Sequence, residues 1–218
     1  MAVVNPKVDG GKPFDWGKAS ADYAKYRDIY PEMFYRQILD AGLCVHGQTV
    51  LDLGTGTGVL PRNLYRYGAQ FVGIDLSPEQ IEQARRLAKQ AGMQIDFFAC
   101  PAESVDFPDH TFDVVTACQC FFYFDAKKLL PNLRRMLRPG GRLAILYMAW
   151  LPGEDPIARA SEQLVLRYNP SWSGGGETRH PIELPPETEM YFTVEQETLL
   201  DLKIPFTRES WHGRMTAC

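Results

Sequence analysis

Thr49-Val50-Leu51-Asp52-Leu53-Gly54-Thr55-Gly56-Thr57-Gly58 is the stretch whose reading decides the fold. It opens with apolar, partly β-branched residues that suit a strand buried on both faces of a parallel sheet. It then breaks into glycines at every second position, and a helical pattern begins near Val59. Strand, tight turn and helix follow one another without a spacer. Glycine lets the backbone turn sharply and leaves room beside it, and the free N–H groups of the helix that follows point at whatever binds there. A ligand site is expected at this turn.

Downstream, strand and helix patterns alternate. Val59 to Tyr67 reads as a short helix stopped by Gly68, and Gln70 to Asp75 as the second strand, completing a β-α-β unit. Ser77 at the N-cap, Pro78 at the first helical position and Gln80 two residues later predict a capping box, with Ile81, Ala84, Leu87 and Ala91 on the apolar face. Gln94 to Ala99 and Phe112 to Cys118 are the third and fourth strands. Asp125 caps a helix with the face Leu129, Leu130, Leu133, Met136 and Leu137, stopped by Pro139-Gly140-Gly141, and Arg142 to Met148 is the fifth strand. Such alternation implies an open, mostly parallel, doubly wound sheet with helices on both faces.

Upstream, residues 1–13 show little apolar periodicity and are expected to lie loosely on the surface. Phe14 to Tyr30 is rich in aromatics, Phe14, Trp16, Tyr23, Tyr26 and Tyr30, with Ser20 as the N-cap of a helix reaching about Asp28. A lid over the site and a helix packed on the core are both open readings of this segment. Pro31 to Ala41 forms the next helix, ended by Gly42. After Trp150, prolines and Gly174-Gly175-Gly176 mark an insertion to about residue 190, helical only over Ile157 to Tyr168. Thr198 to Thr207 alternates like a last strand, and Ser210 begins a short closing segment. The expected division is one domain over 1–218, with a helical lid (14–41), a ligand-binding core (42–149), a substrate-side insertion (150–190) and a last strand and tail (191–218).

Composition narrows the classes of function. At 218 residues, 45% hydrophobic and 23% charged, the chain is long enough for one well-buried core. No run approaches the roughly 18 apolar residues of a membrane span, and residues 1–11 lack the build of a secretory leader. Five irregularly spaced cysteines do not form a disulfide framework, so a reducing cytoplasm is expected. The net charge of −4, with Arg85-Arg86 and Arg134-Arg135 as isolated doublets, argues against nucleic acid as a partner.

In open α/β sheets the ligand sits beyond the carboxyl ends of the strands. Asp52 ends the first strand and Asp75 the second, 21 positions after Gly54, where an acid can accept from both hydroxyls of a ribose. A dinucleotide fingerprint needs a small residue at 59, which is Val59, with the third glycine one place early at 58. That spacing argues against a nicotinamide oxidoreductase.

The motifs together resemble the class I S-adenosylmethionine-dependent methyltransferases, in particular the small-molecule enzymes similar to the quinone-biosynthesis methyltransferases. Asp52-Leu53-Gly54-Thr55-Gly56-Thr57-Gly58 is similar to that family's glycine motif, and Gly73-Ile74-Asp75-Leu76-Ser77 to its second motif. Cys100-Pro101-Ala102-Glu103 resembles the stretch along the adenine, although Pro101 replaces the usual acid and Glu103 stands displaced. Phe112-Asp113-Val114-Val115 and Leu137 to Leu143 resemble the fourth-strand and pre-fifth-strand signatures. The resemblance implies a Rossmann-like fold and S-adenosyl-L-methionine as cofactor, with S-adenosyl-L-homocysteine as product. It implies cofactor contacts from Tyr23, Arg27, Asp52, Gly54, Thr55, Gly56, Gly58, Asp75, Leu76, Pro101, Ala102, Glu103, Cys118 and Gln119. The family adds a terminal strand hairpin of which only one candidate strand is present here, so the chain reads as truncated, or borrowing a strand, and as a monomer or homodimer.

Methyl transfer is an in-line displacement that needs alignment and exclusion of water more than a catalytic triad. A base helps when the nucleophile must lose a proton. The candidates are His180, His212, Tyr23 and Tyr26, with His180 the one carried forward, while His46 and His110 read as solvated turn residues. Tyr26, Trp150, Tyr168 and Trp172 are the expected contacts of a flat or apolar small-molecule acceptor. Ala117-Cys118-Gln119-Cys120 lacks the motifs of nucleic-acid base methylation. Cys118 and Cys120, two apart, invite a soft-metal site with Cys100, against which buried structural cysteines are the commoner case. No metal is expected.

Overall fold

A computed structural model describes residues 17, 19–172 and 174–217. The opening segment, with Phe14 and Trp16, lies outside the described residues. The described chain falls into two compact units, Tyr147–Leu184 and the remainder.

The larger unit is built on five parallel strands in the order β3-β2-β1-β4-β5: β1 Thr49–Leu53, β2 Gln70–Asp75, β3 Asp96–Ala99, β4 Phe112–Cys118 and β5 Leu137–Leu146. Strand order reverses between β1 and β4, which puts the ligand edge at the end of β1, where the glycines stand. The helices are α1 Ser20–Tyr26, α2 Glu32–Asp40, α3 Val59–Leu64, α4 Pro78–Gln90 and α5 Ala126–Met136, and α7 Arg208–Thr216 closes the unit.

The sheet is sandwiched, and β1 and β4 are buried along nearly their whole length. Val50, Leu51, Leu53, Val115 and Ala117 are fully buried. Phe34, Tyr35 and Ile38 of α2 and Leu60 and Leu64 of α3 pack with Val50, Phe71 and Val114. Ile81, Ala84 and Ala88 of α4 close over Phe97 of β3. Fully burying such a side chain contributes about 1.5–3 kcal/mol. Asp113 ties the sheet at its other end, accepting from the Thr49 N–H at 2.8 Å and from Arg138 at 2.5 Å.

Several expectations need correction. Ser20 is the first residue of α1 and caps nothing with its side chain, and α1 ends at Tyr26. The Ser77 hydroxyl does accept from the Gln80 N–H, but the Ser77 N–H goes to Asp75 at 2.9 Å and not to Gln80, so the box is half made. Ala88, not Ala91, completes the buried face of α4, because α4 stops at Gln90. Asp125 stands at the N-cap of α5 without capping it through its side chain, and Leu137 opens β5. β5 starts opposite Phe112, loops out through Pro139-Gly140-Gly141, and resumes with Arg142 opposite Val114.

Thr198 to Thr207 forms no strand. Among the described residues β5 is the outer strand of the sheet, and residues 191–206 are irregular. Pro205 cannot donate to a ladder, and the side chain of Leu202 packs instead on the α2 side of the core. Thr207, not Ser210, caps α7, with Ser210 making the reciprocal half of a capping box.

In the unit Tyr147–Leu184, α6 spans Pro156–Tyr168, and the Asp155 carboxylate accepts from the N–H groups of Ile157 and Ala158 at 2.8 Å. Among the described residues no helix is long and apolar enough to cross a membrane.

Candidate functional site

The turn after β1 works through its backbone. Gly54, Gly56 and Gly58 have φ of +57°, +56° and +74°, a left-handed conformation that costs any residue with a Cβ about 1–2 kcal/mol. The room beside them is not all for a ligand. A Cβ on Gly54 would lie 2.8 Å from Cβ and Sγ of Cys120, and one on Gly58 2.9 Å from the Phe97 ring. Only at Gly56 is there ordinary van der Waals space, bordered by Tyr23 at 3.7 Å. The outer two glycines thus serve packing, and the middle one leaves the gap.

Two carboxylates flank this gap. Asp75, at the end of β2, accepts from the Gly56 N–H and the Ser77 N–H, both at 2.9 Å, one on each oxygen. Burial raises its pKa above the ordinary carboxylate value while those backbone donors pull it back. Each oxygen keeps lone-pair capacity for hydroxyl donors, so the arrangement fits a ribose diol. Asp52 is 2% exposed and accepts at 2.6 Å from the hydroxyl of Thr116, its register partner on β4. Burial pushes Asp52 up to about 6, opposed first by that hydrogen bond and then by the nearby Thr55 hydroxyl. The hydroxyls of Thr55 and Thr57 in the same turn are buried without a hydrogen-bond partner.

The carboxyl end of β4 supplies the next groups. The Cys118 thiol hydrogen-bonds the Tyr30 hydroxyl at 3.4 Å, and burial raises both groups, Cys118 to about 12. Gln119 takes a positive φ of 63°, and its N–H donates to Leu146 at 2.9 Å. That left-handed step ends the strand's alternation, and the Cys120 thiol turns back to the Leu53 carbonyl at 3.1 Å. The thiols of Cys118 and Cys120 thus face separate partners, and no group of three His, Cys, Asp or Glu that could hold a metal ion occurs among the described residues.

The remaining expected contacts divide. Tyr23 borders Gly56, and the Arg27 guanidinium lies over its ring at 5.0 Å. Leu76 is exposed beyond β2, while Ala102 is buried in a short 3₁₀ turn after Pro101. Glu103, expected as the displaced acid, accepts from the Asp125 N–H at 2.8 Å and so stabilises the start of α5. Tyr26 covers Gly213 of α7, where a Cβ would come within 2.5 Å of the ring, so its ring serves helix packing.

Within Tyr147–Leu184, Tyr168 is 80% exposed and the Trp172 ring lies against Gly174 and Gly175. Trp150 is half-buried. His180 faces the Pro181 carbonyl at 2.8 Å through Nδ1 and the Glu177 carboxylate at 3.1 Å through Nε2, and Glu177 also accepts from the Tyr147 hydroxyl at 3.0 Å. Both partners of the imidazole are acceptors, which favours its protonated form and raises its pKa. His110 is likewise no free turn residue: it has a φ of +56° and its Nδ1 meets the Leu137 carbonyl at 3.0 Å.

Sequence reasoning passed over Thr116, Tyr30 and the seating of Cys120 against Gly54. A polar residue inside the otherwise apolar run Val114-Val115-Thr116-Ala117 was the available signal for the first.

A doubly wound sheet with a glycine turn and an acid at each of two strand ends defines a nucleotide-type cofactor domain. Residues 51–145 match the family described as a methyltransferase domain. The demethylmenaquinone methyltransferase of Thermus thermophilus is 40% identical over 114 residues, covering 51% of this chain and 52% of that protein. A ubiquinone biosynthesis O-methyltransferase of Cereibacter sphaeroides is 32% identical over 133 residues, covering 61% and 54%. The chain spans about half the length of these curated relatives. A crystal structure of a SAM-dependent methyltransferase from Aquifex aeolicus superposes with a TM-score of 0.54 over 78% of this chain and 93% of that one, at 22% identity, a likeness of fold.

Proposed function

We propose that the chain transfers a methyl group from S-adenosyl-L-methionine to an O, N or C atom of a small molecule, releasing S-adenosyl-L-homocysteine. The observation that carries this reading is the Gly56 gap between Asp52 and Asp75 at the point where strand order reverses. The cofactor supplies a carbon already activated by its sulfonium. This chain's residues bind and orient it: Asp75 takes the ribose hydroxyls, the Gly54–Gly58 backbone and Asp52 hold the charged methionine end, and Tyr23 with Arg27 borders the opening. Leu76, Pro101, Ala102, Cys118 and Gln119 complete the cofactor edge in this reading.

Relatives named for demethylmenaquinone and for ubiquinone biosynthesis support a flat, aromatic acceptor, which Trp150, Tyr168 and Trp172 suit. A net charge of −4 without a basic stripe favours a small molecule over nucleic acid. The four thiols described are free, in keeping with a reducing cytoplasm as the compartment.

Thermal shift distinguishes the donor. S-adenosylhomocysteine is expected to stabilise the protein and NADH to leave it unchanged. Stabilisation by NADH alone would sink the reading.

A further inference from the structure

Nothing in the established chemistry of the glycine turn accounts for the residue that holds its most buried carboxyl group. Thr116 is wholly buried in β4, in register with Asp52 of β1, and gives it a 2.6 Å hydrogen bond. We propose that Thr116 is a positioning residue for the cofactor, its hydroxyl keeping the Asp52 carboxylate oriented and charged for a ligand that carries an ammonium or sulfonium group. This rests on the cofactor assignment above.

The physical argument starts from burial. A carboxylate at 2% exposure has lost its water, and the anion survives only if donors or cations replace that water. The titratable groups acting on Asp52 are acids. Asp75 from β2 raises it further, and the thiols of Cys44, Cys118 and Cys120 share its surroundings, each held neutral by burial. Against these stands first the Thr116 hydroxyl, a short O–H donor to one carboxylate oxygen, of the kind that favours the charged form, with the Thr55 hydroxyl acting in the same direction more weakly and beyond hydrogen-bond distance. A threonine hydroxyl carries one hydrogen, and here it is committed to Asp52. A bound cation is stabilised by the anion and not by the neutral acid, so ligand affinity and Asp52 ionisation are linked. Ligand binding then releases a proton wherever Asp52 is partly protonated, near pH 6.

The experiment is a titration of S-adenosylhomocysteine binding by calorimetry from pH 5 to 9, on the wild type, Thr116→Val and Thr116→Ser. Valine matches threonine in shape and strand propensity but lacks the donor, and serine retains it. Losing a hydrogen bond to a charged group moves the acid up by about one to two pH units. Thr116→Val is therefore expected to bind about two- to tenfold more weakly at pH 7, to converge with the wild type near pH 9, and to release more protons at pH 7. Thr116→Ser is expected to follow the wild type. Carboxyl-carbon NMR of Asp52 in the ligand-free protein reads the same shift without any binding.

Weakening of Thr116→Val by the same factor at every pH, or an Asp52 resonance that titrates alike in both proteins, would overturn the proposal and leave the cofactor assignment standing. Failure of the wild type to bind S-adenosylhomocysteine at any pH would overturn both.

Discussion

The turn after β1 and the unit Tyr147–Leu184 both gather polar side chains, but they do so under opposite conditions. Around the turn, Asp52 and Thr116 are buried, and an unanswered polar atom there costs about 1–3 kcal/mol. Spacing is consequently tight: glycine at alternate positions, an acid at each strand end, a hydroxyl opposite Asp52. In Tyr147–Leu184 the polar contacts of Tyr147, Glu177, His180, Arg179 and Glu154 are exposed, and water can replace any of them. Burial makes chemistry depend on position, and exposure lets it drift.

That difference decides what the sequence could reveal. β1, β2 and β4 end where the sequence turns, because Leu53 and Cys118 are followed at once by a glycine and a left-handed step, and Asp75 two residues later by the helix cap Ser77. The half-made box at Ser77 was out of reach, since it depends on Asp75 competing for the same N–H from a different element. The expected strand at 198–207 shows the converse. Alternation is a local property, whereas a strand exists only if a neighbour presents a free edge in register, and Leu202 found the core without one. Thr116 and Tyr30 were missed because their roles lie in partners 64 and 88 residues away.

The sharpest way to break the contrast is to place a Cβ in the turn. Gly54→Ala combines a left-handed φ with a 2.8 Å collision against Cys120. A loss of about 2–5 kcal/mol in urea unfolding is expected, from overpacking of about 1–3 kcal/mol and backbone strain of about 1–2 kcal/mol. Because both Cβ and Sγ of Cys120 are in the way, a double-mutant cycle with Cys120→Gly should recover the steric part and leave the backbone part. Equal losses with and without Cys120→Gly would show that the turn is under no packing constraint.

Asp75→Ala is expected next in size. It removes the acceptor for the Gly56 N–H together with the proposed ribose contact, and cofactor affinity should fall by about 1.5–3 kcal/mol, the range for hydrogen bonds to a charged group. Calorimetry that gives the same affinity as the wild type would refute the ribose assignment.

The smallest effect belongs to the exposed unit and carries a sign that tests the comparison itself. His180 has a raised pKa in the folded chain through the Pro181 carbonyl and Glu177, so its contribution to stability is fully present below the unfolded value near 6.5 and is lost as pH rises through the folded value. Its side chain is 44% exposed, and solvent screens most of the gain. His180→Ala should therefore cost less than about 0.5 kcal/mol at pH 5.5 and nothing measurable at pH 9. Asp52 carries the same sign in a lower pH window. With a folded value of about 6 against an ordinary 3.8, it makes the protein less stable as pH rises between those limits. Unfolding measured at pH 4, 5.5 and 9 separates the two slopes. If His180→Ala proved as costly as Gly54→Ala, the exposed cluster would be held by more than its surface ion pair, and the division between a positionally strict turn and a tolerant exposed cluster would fail.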